Sequence, residues 1–197
     1  MFVARNATPF DNEPWGLDNG AFSAWKRGEQ FPADAFLRRV DFAHARGLSP
    51  YLAVCPDIVA GGMRSLEFSL GWRDRLKDVD WPWYLAVQDG MTLESVSAVV
   101  GKFAGLFLGG TNEFKSTAPQ WVRLAQENEK KFHYARVSVL SKLELAFYSN
   151  ADSCDSAFPL WTEDRMQAFI KRWQELAGKY DLGDAEDLAA IGQDGPE

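Results

Sequence analysis

Five short polar clusters punctuate the chain, each placed just after an apolar run: Asp18-Asn19-Gly20, Pro56-Asp57, Gln88-Asp89-Gly90, Gly109-Gly110-Thr111 and Asp152-Ser153-Cys154-Asp155. They offer carboxylates, one amide and glycine-flanked backbone, with no histidine at the obvious positions. Carboxylates only accept hydrogen bonds when ionised, so such a set suits a planar, nitrogen-rich ligand that brings N–H donors. Two carboxylates can also divide nucleophile and acid/base duties in cleaving a glycosidic-type bond. Glycine pairs such as Gly109-Gly110 let a main chain approach a flat ring without a Cβ in the way.

The elements that must position these clusters read as repeated βα units. Short apolar runs predict strands over Phe2 to Arg5, Trp15 to Leu17, Tyr51 to Val54, Trp83 to Val87, Leu106 to Leu108, Tyr134 to Val137 and, weakly, Ala151 to Cys154. Helical spacing predicts helices over Ala33 to Arg46, Gly62 to Leu76, Leu93 to Phe103, Pro119 to Lys131, Lys142 to Tyr148 and Thr162 to Ala177. Thr92 and Thr162 can act as simple N-caps, but Ser95 and Arg165 stand where a capping box has Glu or Gln. Parallel neighbours need a crossover helix, so six or seven such units predict an α/β fold with a parallel sheet. The specific expectation is a small or incomplete (β/α)8 TIM-type barrel. In that architecture the clusters after the strands meet on one face, where such folds keep their active sites. Residues 1–182 would form this single domain and 183–197 an acidic, flexible tail. Neither G-x-G-x-x-G nor G-x-x-x-x-G-K-[ST] follows the first run, which removes the usual dinucleotide and P-loop signatures.

Composition narrows the partners. In 197 residues there are 21 Lys plus Arg against 28 Asp plus Glu, a formal charge of -7, so any nucleic-acid binding must use a local patch. Candidate basic residues are Arg64, Arg73, Arg75 and Lys77 on one helix, and Lys115, Arg123, Lys130 and Lys131 around another; solvated faces are the plainer reading. Only two Cys and two His are present, so a four-ligand zinc site would consume all of them, and no metal or cofactor is expected. No segment reaches the roughly 20 apolar residues of a membrane span, and a cytoplasmic location with no membrane partner is expected. The many aromatic residues allow a homodimer or an accessory role without naming an interface.

The ordered set Asp18-Asn19-Gly20-Ala21-Phe22-Ser23, Asp57, Val87-Gln88-Asp89-Gly90, Leu108-Gly109-Gly110 and Asp152-Ser153-Cys154-Asp155 resembles the tRNA-guanine transglycosylase superfamily. The family's patterns run in the same order: D-S-G-G-F/Y-Q, an Asp on the third unit, V-Q-G-G, L-G-G and D-x-F-D-x-x-x-P, and Asp155 to Pro159 keep the last spacing. The family's C-terminal zinc element has no counterpart here. Trp161 stands where the family has a basic residue, and Arg136 where it has a small residue or Met. A reduced, zinc-free version is most similar to bacteriophage enzymes that place 7-deazaguanines in DNA, in the host cytoplasm if phage-encoded.

The resemblance implies a base exchange in DNA with a free 7-deazaguanine, such as preQ0, as co-substrate. It implies Asp155 as nucleophile, Asp18 as general acid/base, Phe22 as the stacking platform, and Asp57, Gln88, Gly109 and Gly110 as base-binding positions. Arg136, at the end of the sixth strand, could touch phosphate or base, or form a structural ion pair. Plainer readings stay open. Asp155 can be a helix cap, Asp18-Asn19-Gly20 a turn, Asp57 a loop carboxylate, Gln88 a buried amide satisfied internally and Gly109-Gly110 a tight turn. Trp25, Trp81 and Trp83 read as packing, and His44 as surface or packing. Two other functions fit the same residues: a nucleoside or base hydrolase acting on a small substrate, and a non-catalytic barrel partner of a larger enzyme.

Overall fold

Five uncharged residues, Trp83–Val87, form the longest strand, β4, and all five are buried. A run that is apolar on both faces is what a parallel sheet covered on both sides requires. The computed structural model describes residues 2–3 and 15–181. Around β4 it places β1 (Phe2–Val3), β2 (Gly16–Leu17), β3 (Leu52–Val54), β5 (Gly105–Leu108), β6 (Lys131–Tyr134) and β7 (Ser153–Cys154). The strands lie in sequence order, and every neighbouring pair is parallel. The six strands from β2 to β7 belong to the continuously described chain. Among the described residues no pairing joins β7 back to β1, so the expected α/β fold with a parallel sheet is present as a half-barrel, an incomplete barrel. The expected tail, 183–197, lies outside the described residues, as do Ala4 and Arg5, half of the first predicted strand.

Helices fill the crossovers: α1 (Ala21–Lys26), α2 (Ala33–His44), α3 (Met63–Arg75), α4 (Leu93–Ser97), α5 (Asn112–Ser116), α6 (Ala118–Glu127), α7 (Leu140–Tyr148) and α8 (Glu163–Asp181). Among the described residues no helix is long and apolar enough to cross a membrane. Strand side chains alternate between faces, and that alternation sorts the molecule into two layers. Leu17, Ala53, Trp83, Leu85, Val87, Leu106, Leu108, Phe132 and Tyr134 face the helices, where they join Phe36, Leu66, Trp72, Trp121 and Leu143 in the main core. Leu52, Val54, Tyr84 and Ala86 form a smaller cluster with Ala104 and Phe107 on the concave face. Trp81 and Trp83 are core residues, as expected, and Trp83 Nε1 donates to the Val79 carbonyl at 3.0 Å. His44 is exposed, with its ring edge-on to Trp81.

Several local expectations are corrected. The sixth strand is Lys131–Tyr134 rather than Tyr134 to Val137, paired in register with Gly105–Leu108. Its charged and imidazole side chains hide it from an apolar-run search: Lys131 opens the strand at an exposed position bonded to Asp152, and His133 is buried on the concave face. The Asp18-Asn19-Gly20 turn leads directly into α1, which the sequence did not suggest, and α5 was likewise missed. Thr92 forms a full reciprocal capping box with Ser95, because a serine hydroxyl can accept from the Thr92 N–H as a Glu would. Thr162 is a simple cap, accepting from the Arg165 N–H.

Candidate active site

At the C-terminal ends of the strands a cavity of about 370 Å³ opens. All seven residues that the resemblance puts at catalytic or base-binding positions line it, as does Arg136: Asp18 and Phe22 after β2, Asp57 after β3, Gln88 after β4, Gly109 and Gly110 after β5, Arg136 after β6 and Asp155 after β7; the candidate basic residues on the two helices do not. Its floor is the concave face of the sheet, through Val54, Ala86 and Phe107. Thus the strand alternation that builds the core also supplies an apolar floor to the cavity, rimmed by polar groups.

On the β2–β4 side the carboxylates are held dry. Asn19, only 2% exposed, donates through Nδ2 to Asp57 Oδ1 at 2.7 Å and to the Cys55 carbonyl at 2.9 Å, and its Oδ1 receives the Ala21 N–H at 2.8 Å. One side chain therefore orients Asp57 and ties down Ala21, the first residue of α1. Gln88, 3% exposed, donates from Nε2 to Ser65 Oγ at 2.8 Å, the Ile58 carbonyl at 3.0 Å and Asp57 Oδ2 at 3.3 Å. Its Oε1 accepts the Gly61 N–H at 3.2 Å. Two amide hydrogens already face three acceptors, so Gln88 braces Asp57 and the loop after β3 while lining the cavity. Ser65 and Ser69, both buried on α3, fasten the same loop through Ile58 N–H and the Pro56 carbonyl.

Burial pushes the Asp57 carboxyl up to about 6; the Asn19 and Gln88 hydrogen bonds oppose this, and the nearby Asp18 charge reinforces it. Asp18 is also raised above the ordinary carboxylate value, chiefly by burial; the Gly20 N–H and the Arg39 charge pull it down, and Asp155 pushes it up. Both carboxyls on this side therefore take up a proton more readily than a free aspartate does.

The β6–β7 side does the opposite. Asp155 Oδ1 accepts from His133 Nε2 at 3.0 Å and from the Arg136 N–H at 2.9 Å. Burial alone would push Asp155 up, but these two hydrogen bonds and the charges of His133 and Lys115 outweigh it and hold the carboxyl below its ordinary value. An ionised carboxylate only accepts, so Nε2 of His133 carries a hydrogen, while Nδ1 faces Ser153 Oγ at 2.8 Å. The imidazole, 1% exposed, is locked flat against Phe107, with ring centroids 4.9 Å apart and planes 7° apart. Both donors reach Oδ1, and among the described residues no hydrogen bond occupies Oδ2.

Between the two sides, Gly110 adopts φ +77°, and a Cβ there would lie 2.5 Å from Asp89 Oδ2, so the position admits only glycine without rearrangement. Asp89 ties this turn down by accepting from the Thr111 N–H and hydroxyl. Phe22 is half-buried at the rim, and Trp25, expected as packing, is exposed beside it with near-parallel rings 5.8 Å apart. The Arg136 guanidinium lies 4.2 Å from the Phe22 ring centroid and donates to the Gly110 carbonyl at 3.1 Å. Lys115, expected on a solvated face, is instead 2% exposed, with Nζ donating to the Ala135 carbonyl. Burial, helped by the charges of Arg136 and Lys142, brings its ammonium down to about 7.

His133, Lys115 and Asn19 are the site residues that sequence reasoning passed over. The signal for Asn19 was available, since Asn before Gly favours a turn in which the amide oxygen takes the N–H two residues on; its link to Asp57, 38 residues on, was not. Fold and site together define an α/β half-barrel with a carboxylate-lined cavity at the C-terminal ends of its strands. Compared with known protein families and with curated proteins, the chain matches none.

Proposed function

We propose that the protein is a guanine transglycosylase that exchanges guanine in DNA for a 7-deazaguanine base such as preQ0. On this reading it is a reduced, TIM-type member of the tRNA-guanine transglycosylase superfamily, most similar to the zinc-free bacteriophage enzymes. The observation that carries the reading is the opposite tuning of carboxylates around one cavity, with Asp18 and Asp57 raised and Asp155 lowered. Base exchange needs that division: an anion to attack, and an acid to protonate the departing base.

Asp155 attacks C1′ of the target nucleotide through Oδ2, the oxygen that His133 and Arg136 leave open. The new O–C1′ bond forms as the glycosidic C–N bond breaks, and guanine departs with the bonding electron pair. Asp18 gives its proton to the leaving base. In the second half Asp18 takes a proton from the incoming 7-deazaguanine, whose ring nitrogen attacks C1′ and releases Asp155. Phe22 stacks on the ring, and Asp57 accepts from its N–H edge, held in place by Asn19 and Gln88. The backbone at Gly109 and Gly110 closes the slot. The scheme calls on side chains alone and uses no cofactor.

Nucleoside mass spectrometry of DNA from cells that express the protein and are supplied with preQ0 tests the proposal. A deazaguanine nucleoside should appear in DNA with the wild type and not with D155N. Free guanine without the modified nucleoside would favour a hydrolase, and nucleic-acid binding with no covalent adduct would favour a non-catalytic partner.

A further inference from the structure

Arg136 holds a backbone conformation, φ +54°, that is strained for a residue with a side chain, by about 1 kcal/mol or more. Three contacts impose it. Lys115 Nζ holds the Ala135 carbonyl before it, the Val137 N–H after it donates to the Asp155 carbonyl at 2.8 Å, and its own N–H goes to Asp155 Oδ1. The result is that one residue serves both ends of the cavity: its main chain fixes the nucleophile, and its side chain crosses to Phe22 and Gly110. The guanidinium is itself a flat, nitrogen-rich group with N–H donors at its edge. It meets the aromatic face and the backbone carbonyl that a flat base would be expected to meet.

Resting on the reading of this cavity as a base slot, we propose that Arg136 is a built-in surrogate for the base: in the free protein its guanidinium occupies the face of Phe22 and the Gly110 carbonyl, and a base binds by displacing it. A ring cannot stack on that face of Phe22 while the guanidinium carbon sits 4.2 Å from its centroid. Only the fraction of molecules with Arg136 swung away is competent, so every base binds more weakly by the same factor. Arg136 thereby sets the affinity threshold of the slot without setting its selectivity, which stays with Asp57.

Calorimetric titration of 7-deazaguanine and of 7-deazahypoxanthine into wild type, R136A and R136K tests this. Alanine keeps the Cβ and the main-chain N–H, so neither the backbone strain nor the Asp155 contact changes. R136A should bind both bases about three- to tenfold more tightly, by one common factor, as expected from removing an exposed cation–π contact. R136K, whose compact ammonium cannot lie flat on the ring, should gain in the same direction. Unchanged or weaker binding by R136A overturns the surrogate role, as does a different factor for the two bases, which would make Arg136 a reader of the base. Affinity in R136K equal to wild type overturns it too, by assigning the effect to charge. Absence of binding by all three proteins overturns the base-slot reading itself and this proposal with it, whereas equal binding by all three overturns this proposal alone.

Discussion

Asp57, on the β2–β4 side of the cavity, and Asp155, on the β6–β7 side, each accept two hydrogen bonds among the described residues, yet one is pushed up to about 6 and the other is held below its ordinary value. Donor count is therefore not what separates them. Asp57 lies deeper and has a second carboxylate, Asp18, as its charged neighbour, while Asp155 lies among His133, Lys115 and the Arg136 main chain, with its side chain 28% exposed. Burial without a countercharge favours the proton; a smaller burial penalty opposed by positive groups favours the anion. The same residue type thus acquires two proton affinities around one cavity.

Breaking the anionic side should have the largest effect. D155N should abolish the covalent nucleic-acid adduct, with exchange falling by on the order of 10,000-fold, while free 7-deazaguanine still binds; denaturing gels and calorimetry read the two. On the β2–β4 side, D57N places an amide N–H against the donors of the base and should weaken base binding by about 100-fold. For wild type, base binding should weaken as pH falls through about 6, where Asp57 gains its proton and ceases to be acceptor-only. That shift also has a stability sign. Folded Asp57 keeps its proton up to about 6, against an ordinary value of 3.8 in the unfolded chain. Wild type should therefore lose on the order of 2 kcal/mol relative to D57N between those pH values, and urea denaturation at pH 4 and pH 7 measures it.

The supports of each side sharpen the contrast more gently. Q88L removes the one side-chain donor to Asp57 Oδ2 among the described residues, together with bonds to the Ile58 carbonyl and Ser65 Oγ, and should cost about 2 kcal/mol of folding stability by denaturant titration, with base affinity reduced through misplaced Asp57. H133F keeps the ring against Phe107 but removes a donor from Asp155. Adduct formation should slow by about tenfold, and the acid limb of its pH profile should move upward. A merely structural role for His133 would lower stability without moving that limb.

The polar residues that end the strands were legible because turn chemistry and apolar runs bracket them: Asp18, Asp57, Gln88, Gly110 and Asp155 could all be placed at strand ends before any coordinates. Strand β4 and helices α2 and α3 were visible for the same reason, being long enough for their periodicity to show. What escaped was set by tertiary context. Strand β6 carries Lys131 and His133 because one end reaches Asp152 and the other side chain is buried against Phe107, and neither partner is near in sequence. Helices α1 and α5, of six and five residues, are too short for a periodic signal and rest on local hydrogen bonds, the Asn19 turn that takes the Ala21 N–H and the Thr111 cap that takes the Phe114 N–H. Lys115 looked like a surface charge, since a lone lysine gives no sign that a neighbouring carbonyl will take its ammonium.

The two-residue strand β7 pairs only with β6 among the described residues, and the very next residue is Asp155. Short margins of a sheet open at lower free energy than its centre. Loosening β7 would release Asp155 from His133 and Arg136 while β3 to β5, with most of the apolar interior, stayed intact. Gentle warming should therefore silence the protein reversibly at temperatures where circular dichroism still reads a folded chain.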